Sequence, residues 1–462
     1  MSIVSSSDVF LVVTRGGDLY ECQICKEVEC YRRIFTLPLV AQAAVGGYMV
    51  IGKHYAVVCR DGTLWTWGSY DFGQPETGHD LNFVGNVVRP IASRVPKQVM
   101  PVCFAHQKIA SVACGAESTF AVTEFGRVYS FGNGFRGELG HGDSGRTATR
   151  FTPTLIQGLK DVVVTMVATD WSHTVCVCDG GCVWSWGINT SKQLGIEGVD
   201  ADFVTVPTPV TGLDKKGDVV FASTSSVSSM VVTAEGKVLA WGSNSFGQLG
   251  IRTSKIVQTP TPVVITDTDT THTAKRFKAG EHGTKSATHS IRIQSILSLD
   301  MQTIALDYKG ELWWCGHAGA LETPSMSMTS PIFTRVAPEL TAGMNITAVS
   351  VCSANHMAVV LTDVGLLYTV HSHRHYKPSP DYMPILVNAE SFAGDRIGPY
   401  AVLSRHTMIA FAMGIHHRLG ASGFCLNLTD DLLCRIFVVC DQVCVVQSEG
   451  VRRLCGGWSE NA

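Results

Sequence analysis

The chain has 462 residues, 45% hydrophobic and 16% charged, with 36 basic against 39 acidic side chains. That composition excludes a disordered chain, and a net charge of −3 gives the surface as a whole no pull on nucleic acid or an anionic membrane. No apolar run of about 18 residues is present to span a bilayer, and residues 1–7 lack a basic secretory start. The expectation is an intracellular protein, cytoplasmic or nuclear and not secreted, its sixteen cysteines reduced and mostly packed as small apolar residues.

Taken in order, residues 8–40 predict a first, worn unit: an apolar strand over 9–14, a turn at Gly16-Gly17 and a second strand ending at Cys22. The second unit, 41–104, is clear as far as Gly73-Gln74, has Pro75 where its later copies have Leu, and then makes a polar excursion over 76–94. Units over 105–160, 161–215 and 216–265 are the best preserved. In the last of these, an apolar run over 230–233 meets a turn at Ala234-Glu235-Gly236. A second run then leads to Trp241-Gly242, and a Gly-rich turn carries Leu249 as the one residue able to plug a core. A polar insertion over 266–290 precedes two further units, 291–340 and 341–390, and 395–414 is expected to pair with the N-terminal strands and so remove open sheet edges.

The units share one register. Turn glycines 17, 62, 126, 181, 236, 310 and 365 are spaced by 45, 64, 55, 55, 74 and 55 residues, a unit of about 55 with insertions. Five residues after each comes Cys22, Trp67, Phe131, Trp186, Trp241, Cys315 or Val370. Gly137-Glu-Leu-Gly140, Lys192-Gln-Leu-Gly195 and Gly247-Gln-Leu-Gly250 repeat the turn, and Pro153, Pro207, Pro209 and Pro262 are expected just before the last strand of their units. One such hairpin is marginal alone, so the expectation is all-β: a seven-bladed β-propeller of four-stranded antiparallel blades over 1–415, closed by N- and C-terminal strands, with a short helical segment at 421–462.

The Trp-Gly-x-Asn-x-x-Gly-Gln-Leu-Gly turn followed by a Thr-Pro strand resembles the regulator of chromosome condensation repeat, whose members form seven-bladed propellers. The match is specific over 50–265 and degenerate over 1–49 and 270–390. The resemblance implies a protein partner on one propeller face. Its founding member is a guanine-nucleotide exchange factor for the small GTPase Ran, which acts through a loop wedge, with 76–94 or 266–290 as stand-ins here; the basic chromatin tail of that founder has no counterpart.

No catalytic signature is present: no Gly-x-x-x-x-Gly-Lys-Ser/Thr, no Gly-x-Ser-x-Gly and no His-Glu-x-x-His. Cys22, Cys25 and Cys30 lack a second pair at finger spacing and read as core, as do Cys176, Cys178 and Cys182 around Gly181. His54 and His173 start strands in repeat phase and read as structural. His371, His373 and His375 alternate and would share one strand face, as a metal-ligand set or a solvated patch. No cofactor, metal or catalytic residue is assigned.

The tail turns helical: Thr429 or Asp430 caps a run whose apolar face is Leu432, Leu433, Ile436 and Phe437. This Leu-Thr-Asp-Asp-Leu-Leu-x-x-Ile-Phe string resembles the start of an F-box, with Thr429 where that family usually has Pro. The resemblance implies that Leu428, Asp431, Leu432, Ile436 and Phe437 touch a ubiquitin-ligase adaptor; a helical cap packed on the propeller is the other reading. The function expected is a non-enzymatic interaction scaffold, with nucleotide exchange or a structural place in a large particle as alternatives.

Overall fold

A computed structural model describes residues 2–6, 9–24, 29–34, 36–47, 53–68, 81–84, 87–90, 93–171, 173–213, 219–266, 290–317, 329–336, 346–352, 357–362, 366–371 and 387–388. Seven four-stranded sheets follow one another along them. Sheet 1 comprises Ser2–Ser6, Val9–Val13, Leu19–Ile24 and Glu29–Arg33; sheet 2, Val40–Gly46, His54–Cys59, Leu64–Gly68 and Ser93–Gln98. Sheet 3 comprises Ile109–Cys114, Ser118–Thr123, Val128–Gly132 and Arg150–Leu155; sheet 4, Val164–Thr169, His173–Cys178, Val183–Ile188 and Phe203–Pro209. Sheet 5 comprises Val219–Thr224, Ser228–Thr233, Val238–Gly242 and Val257–Val263; sheet 6, Ile293–Ser298, Gln302–Asp307, Leu312–His317 and Thr329–Arg335. Sheet 7 comprises Ile346–Cys352, Met357–Thr362, Leu366–His371 and a fourth strand of only two residues, Val387–Asn388. Every pairing is antiparallel and between chain neighbours, except that Leu64–Gly68 pairs with Ser93–Gln98 across two intervening strands, and each sheet touches the next. Ser2–Ser6 of sheet 1 touches Ile346–Cys352 of sheet 7.

The core lies between sheets rather than within them. Val9, Leu11 and Leu19 of sheet 1 pack with Val57 and Trp67 of sheet 2, and Phe120 and Val122 of sheet 3 with Cys176 and Trp186 of sheet 4. Met230 and Val232 of sheet 5 likewise pack with Ile296 and Trp313 of sheet 6. The second strands of sheets 2 to 6 are therefore buried along their whole length. A strand covered on both faces gains from apolar residues at every position, so His54–Cys59 and His173–Cys178 read as continuous runs, not alternations.

Three features differ from the sequence-based expectations, and a fourth expectation falls outside the described residues. Ser2–Ser6 forms a strand paired with Val9–Val13, where the sequence-based reading begins the first unit at residue 8; backbone pairing, not apolar pattern, places it. The segment 395–414, expected to close the ring, lies outside the described residues. The excursion over 76–94 contains its own two-stranded ladder, Leu81–Val84 with Val87–Pro90. Pro153, Pro207, Pro209 and Pro262 lie inside the fourth strands rather than before them. These are edge strands, the place in a sheet where a residue without an N–H is tolerated.

Gly242 shows why the aromatic must be followed by glycine. It has φ of 101°, and a Cβ there would sit 2.5 Å from the carbonyl oxygen of Val227 in the turn between the first two strands. Gly242→Ala is expected to cost about 2–3 kcal/mol from left-handed strain plus overpacking. Gly180, with φ of 80° and nothing within 4 Å of its Cβ position, is the control. Chemical denaturation of Gly242→Ala and Gly180→Ala checks this: equal midpoints would show that the close approach is irrelevant.

Candidate interaction surface

Each joint between well-preserved sheets is built by one residue of the third-to-fourth loop. In sheet 4 this is Gln193, fully buried in the Lys-Gln-Leu-Gly turn. Its main-chain oxygen accepts the Trp241 indole N–H at 2.8 Å and the Ser229 hydroxyl at 2.8 Å, both from sheet 5. Its amide Nε2 donates to Ser226 O at 3.1 Å, again in sheet 5, while Oε1 accepts Ser191 N–H at 2.8 Å within its own turn. Gln248 repeats the joint onto sheet 6: Thr303 Oγ1 donates to its carbonyl at 2.7 Å, Nε2 donates to Asp300 O at 3.0 Å and Oε1 accepts Phe246 N–H at 2.9 Å. Cys315, in the aromatic position of sheet 6, points its thiol at the same carbonyl at 3.3 Å. Glu138 holds the corresponding place in sheet 3, its carbonyl accepting Trp186 Nε1 at 2.8 Å. The sequence singled out the Leu of this turn, and Leu139, Leu194 and Leu249 are buried. The recurring Gln one place earlier was the signal for the joint.

The titratable groups in these joints are committed to structure. His54 Nε2 lies 3.3 Å from Ser118 O and His173 Nε2 2.8 Å from Ser229 Oγ, each reaching from its own sheet to the next. Burial holds the His54 imidazole down at about 4 and that of His173 at about 3, so both rings are neutral near pH 7. Burial likewise pushes the Cys59 thiol up to about 11 and that of Cys114 up to about 12. These are packed, unreactive sulfurs.

Cys176, Cys178 and Cys182 are free thiols, the first two buried and Cys182 exposed beside the turn. Cys22 lies in Leu19–Ile24 opposite Tyr31, and Cys30 opposite Gln23; Cys25 lies outside the described residues. His371 ends Leu366–His371, whereas His373 and His375 lie outside the described residues, as do Leu428, Asp431, Leu432, Ile436 and Phe437 of the tail. Of the insertion over 266–290, only its ends are described, paired as a bridge between Thr266 and Ser290. Among the described residues no group of three or more His, Cys, Asp and Glu is placed to hold a metal ion. No helix among them is long and apolar enough to cross a membrane.

The antiparallel meander sends its connections to two rims. One carries the first-to-second and third-to-fourth connections, with Phe135, Phe246 and Met301 exposed. The other carries the second-to-third turns and the links between sheets, and among the described residues its apolar exposure is greater. Phe125 is 62% exposed and Val102 60%, with Val163, Met100 and Tyr308 also exposed. Phe125 lies between two sheet links: Glu124 N–H donates to Lys108 O at 2.9 Å, and the Cβ position of the adjoining Gly126 lies 2.7 Å from Val163 Cγ1. Val102 sits in the short 3-10 turn Pro101–Phe104 that leads to Lys108. Large apolar side chains exposed along one rim are a usual mark of a docking surface.

Comparison with known proteins agrees with this geometry. The model of the regulator of chromosome condensation (RCC1) repeat matches residues 61–122, 126–177, 180–232 and 235–284, and a second model of the repeat matches 109–138. The chain is 28% identical to the mouse E3 ubiquitin-protein ligase HERC2 over 268 residues, 56% of this chain but 5% of HERC2. Among solved structures, human WBSCR16 aligns with a TM-score of 0.58 at 21% identity, covering 76% of this chain and 84% of that one. Yeast RCC1 (Prp20), solved with Kap60, aligns with a TM-score of 0.56 at 19% identity, covering 73% of this chain and 72% of that one. These structural likenesses concern the fold.

Proposed function

We propose that this chain, which carries repeats of the regulator of chromosome condensation family, is a protein-interaction scaffold: a closed ring of seven blades that docks a protein partner on the rim carrying Phe125, Val163, Val102 and Met100. The observation that carries this is the exposure of those side chains on one rim, Phe125 next to the Gly126 that meets Val163, in a molecule whose repeat-phase polar residues are turned into the joints between sheets. Bare apolar area of this kind is stabilised by a partner that covers it, while surrounding polar turns keep the free protein in solution.

A Phe125→Ser/Val163→Ser double variant is expected to lose at least tenfold in partner recovery by affinity purification, with its melting temperature unchanged. Phe135→Ser, on the opposite rim, should recover the partner normally. Equal loss from the two variants would refute the choice of rim. Within this reading the tail residues Leu428, Asp431, Leu432, Ile436 and Phe437 recruit a ubiquitin-ligase adaptor, which would make the ring a substrate receptor. HERC2 being a ubiquitin ligase is consistent with that. A chain truncated at Gly420 that still recovers an adaptor would remove the refinement.

A further inference from the structure

The turn between the second and third strands is built in the same way from sheet to sheet. The residue before it donates its main-chain N–H to the carbonyl four residues on, Thr123 to Arg127 and Thr233 to Lys237, each at 2.9 Å. Its side chain then reaches across and caps the returning strand. Thr123 Oγ1 accepts Arg127 N–H and Thr233 Oγ1 accepts Lys237 N–H, each at 3.2 Å, and Asp307 Oδ1 accepts Glu311 N–H at 2.9 Å. The side chain at the first position therefore lies against the residue at the second. In sheet 4 these positions are Cys178 and Cys182, with the same main-chain bond at 2.9 Å. A thiol is a weak acceptor, so the cap is given up here. Among the described hairpins no other places cysteine at both positions; Cys59, at the first position in sheet 2, faces Thr63.

We propose that Cys178 and Cys182 are the two halves of a reversible disulfide, formed by exchange with a small-molecule disulfide. Val177 pairs with Val183, so Cys178 and Cys182 are the next opposed residues, with side chains on one face. Opposed residues joined by a main-chain bond have Cα atoms about 5.5 Å apart, inside the span of a disulfide. Gly180 and Gly181 between them both have positive φ, and nothing lies within 4 Å of the Gly180 Cβ position, so the turn can adjust as the sulfurs close. Both thiols are free, Cys182 exposed and Cys178 buried. The Cys182 thiolate attacks the incoming disulfide, whose S–S bond breaks; one thiolate leaves and a mixed disulfide remains on Cys182. Cys178 then gives its proton to solvent and attacks the Cys182 sulfur, expelling the second thiolate. Two protein thiols are oxidised and one disulfide is reduced to two thiols. The Cys178 thiol is held well above its ordinary value, first by its side-chain contact with Cys176 and then by burial, with its contact to Cys182 acting in the opposite direction. That of Cys182 is raised as well, by burial first and then by Cys178. Both sulfurs therefore start as thiols at neutral pH, and exchange quickens as pH rises. Asp179 N–H donates to Val163 O at 2.9 Å, which puts the pair at the rim proposed for docking; the disulfide itself does not depend on that reading.

The test incubates the full-length protein with glutathione disulfide at about pH 8, quenches with acid, alkylates the unfolded chain and maps its peptides by mass spectrometry. Wild type should carry a bond between Cys178 and Cys182, with Cys59 and Cys176 alkylated and dithiothreitol restoring both thiols. Cys178→Thr installs the capping residue of sheets 3 and 5 and so keeps the hairpin. In that variant glutathione should stay on Cys182, at least about tenfold more of it than in wild type, because a neighbouring thiol resolves the mixed disulfide faster than thiol from solution. Cys182→Ser should hold neither glutathione nor a disulfide in this hairpin. Glutathione retained equally by wild type and Cys178→Thr, a bond from Cys176 to either partner, or an unmodified Cys182 overturns the proposal.

Discussion

Replacing Trp241 by alanine is expected to cost roughly 3–5 kcal/mol and to be the most damaging single truncation among the repeat-phase residues. The ring is fully buried, it packs in the cluster shared by sheets 4 and 5, and its N–H donates to Gln193 O at 2.8 Å. Alanine removes the contact area on both sheets at once, and neither can close the gap without dragging the other. Trp241→Phe separates the two contributions. Phe131 already serves in this place in sheet 3, so volume is nearly kept and only the indole donor is lost; Ser229 Oγ still satisfies Gln193 O at 2.8 Å. That variant should cost about 1 kcal/mol. Urea denaturation of the two variants against wild type measures both numbers. A phenylalanine variant as unstable as the alanine one would mean that the hydrogen bond, and not the packing, holds sheets 4 and 5 together.

The repeated four-stranded sheet was legible because its markers are local. The turn glycines 17, 62, 126, 181, 236 and 310 all have positive φ, and the residue five places on closes each hairpin at a fixed register. Leu249 stood out for the same reason, as the single apolar residue in a turn of Gly, Ser and Asn. The joints were less legible because their bonds span the repeat: Gln193 reaches Ser226, and Gln248 reaches Asp300 across an insertion. Repeat register alone placed Cys315 in the aromatic position; that its thiol meets Gln248 O, as an indole meets the main chain at the other joints, is a contact across the repeat that the sequence does not carry. Ser2–Ser6 was missed because its order comes from a partner strand, so its own residues carry no pattern. The rim of Phe125 and Val163 could not be read at all from sequence. Whether an apolar residue in a turn is covered depends on the link from the neighbouring sheet, which repeat phase does not specify.

Acid is expected to destabilise the protein through His54 and His173 well before the bulk of its carboxylates are neutralised. Both imidazoles are buried across joints, that of His54 against Ser118 O and that of His173 against Ser229 Oγ, and burial holds them at about 4 and about 3. In the unfolded chain each titrates near 6.5, so between that value and the folded one the unfolded state binds more protons and stability falls with falling pH. At pH 5 the loss is about 2 kcal/mol for each ring, and it continues to grow down to the folded values. Ser118 and Ser228 occupy the same repeat position in sheets 3 and 5, so serine is a residue the joint accommodates. His54→Ser/His173→Ser should be less stable than wild type at pH 7, from lost packing, yet should lose far less between pH 7 and pH 5. The quantity to compare is the slope of unfolding free energy against pH, measured with a chemical denaturant, and equal slopes would refute the assignment. The carboxyls of Glu138 and Asp170, both pushed up to about 7 chiefly by desolvation, work in the opposite direction, and the stability they hold is lost as pH rises to that value. Buried histidines that cost stability on the acid side and desolvated carboxyls that cost it as pH rises bound the range of greatest stability from both sides. His54→Ser/His173→Ser should widen that range downward and leave its alkaline edge in place.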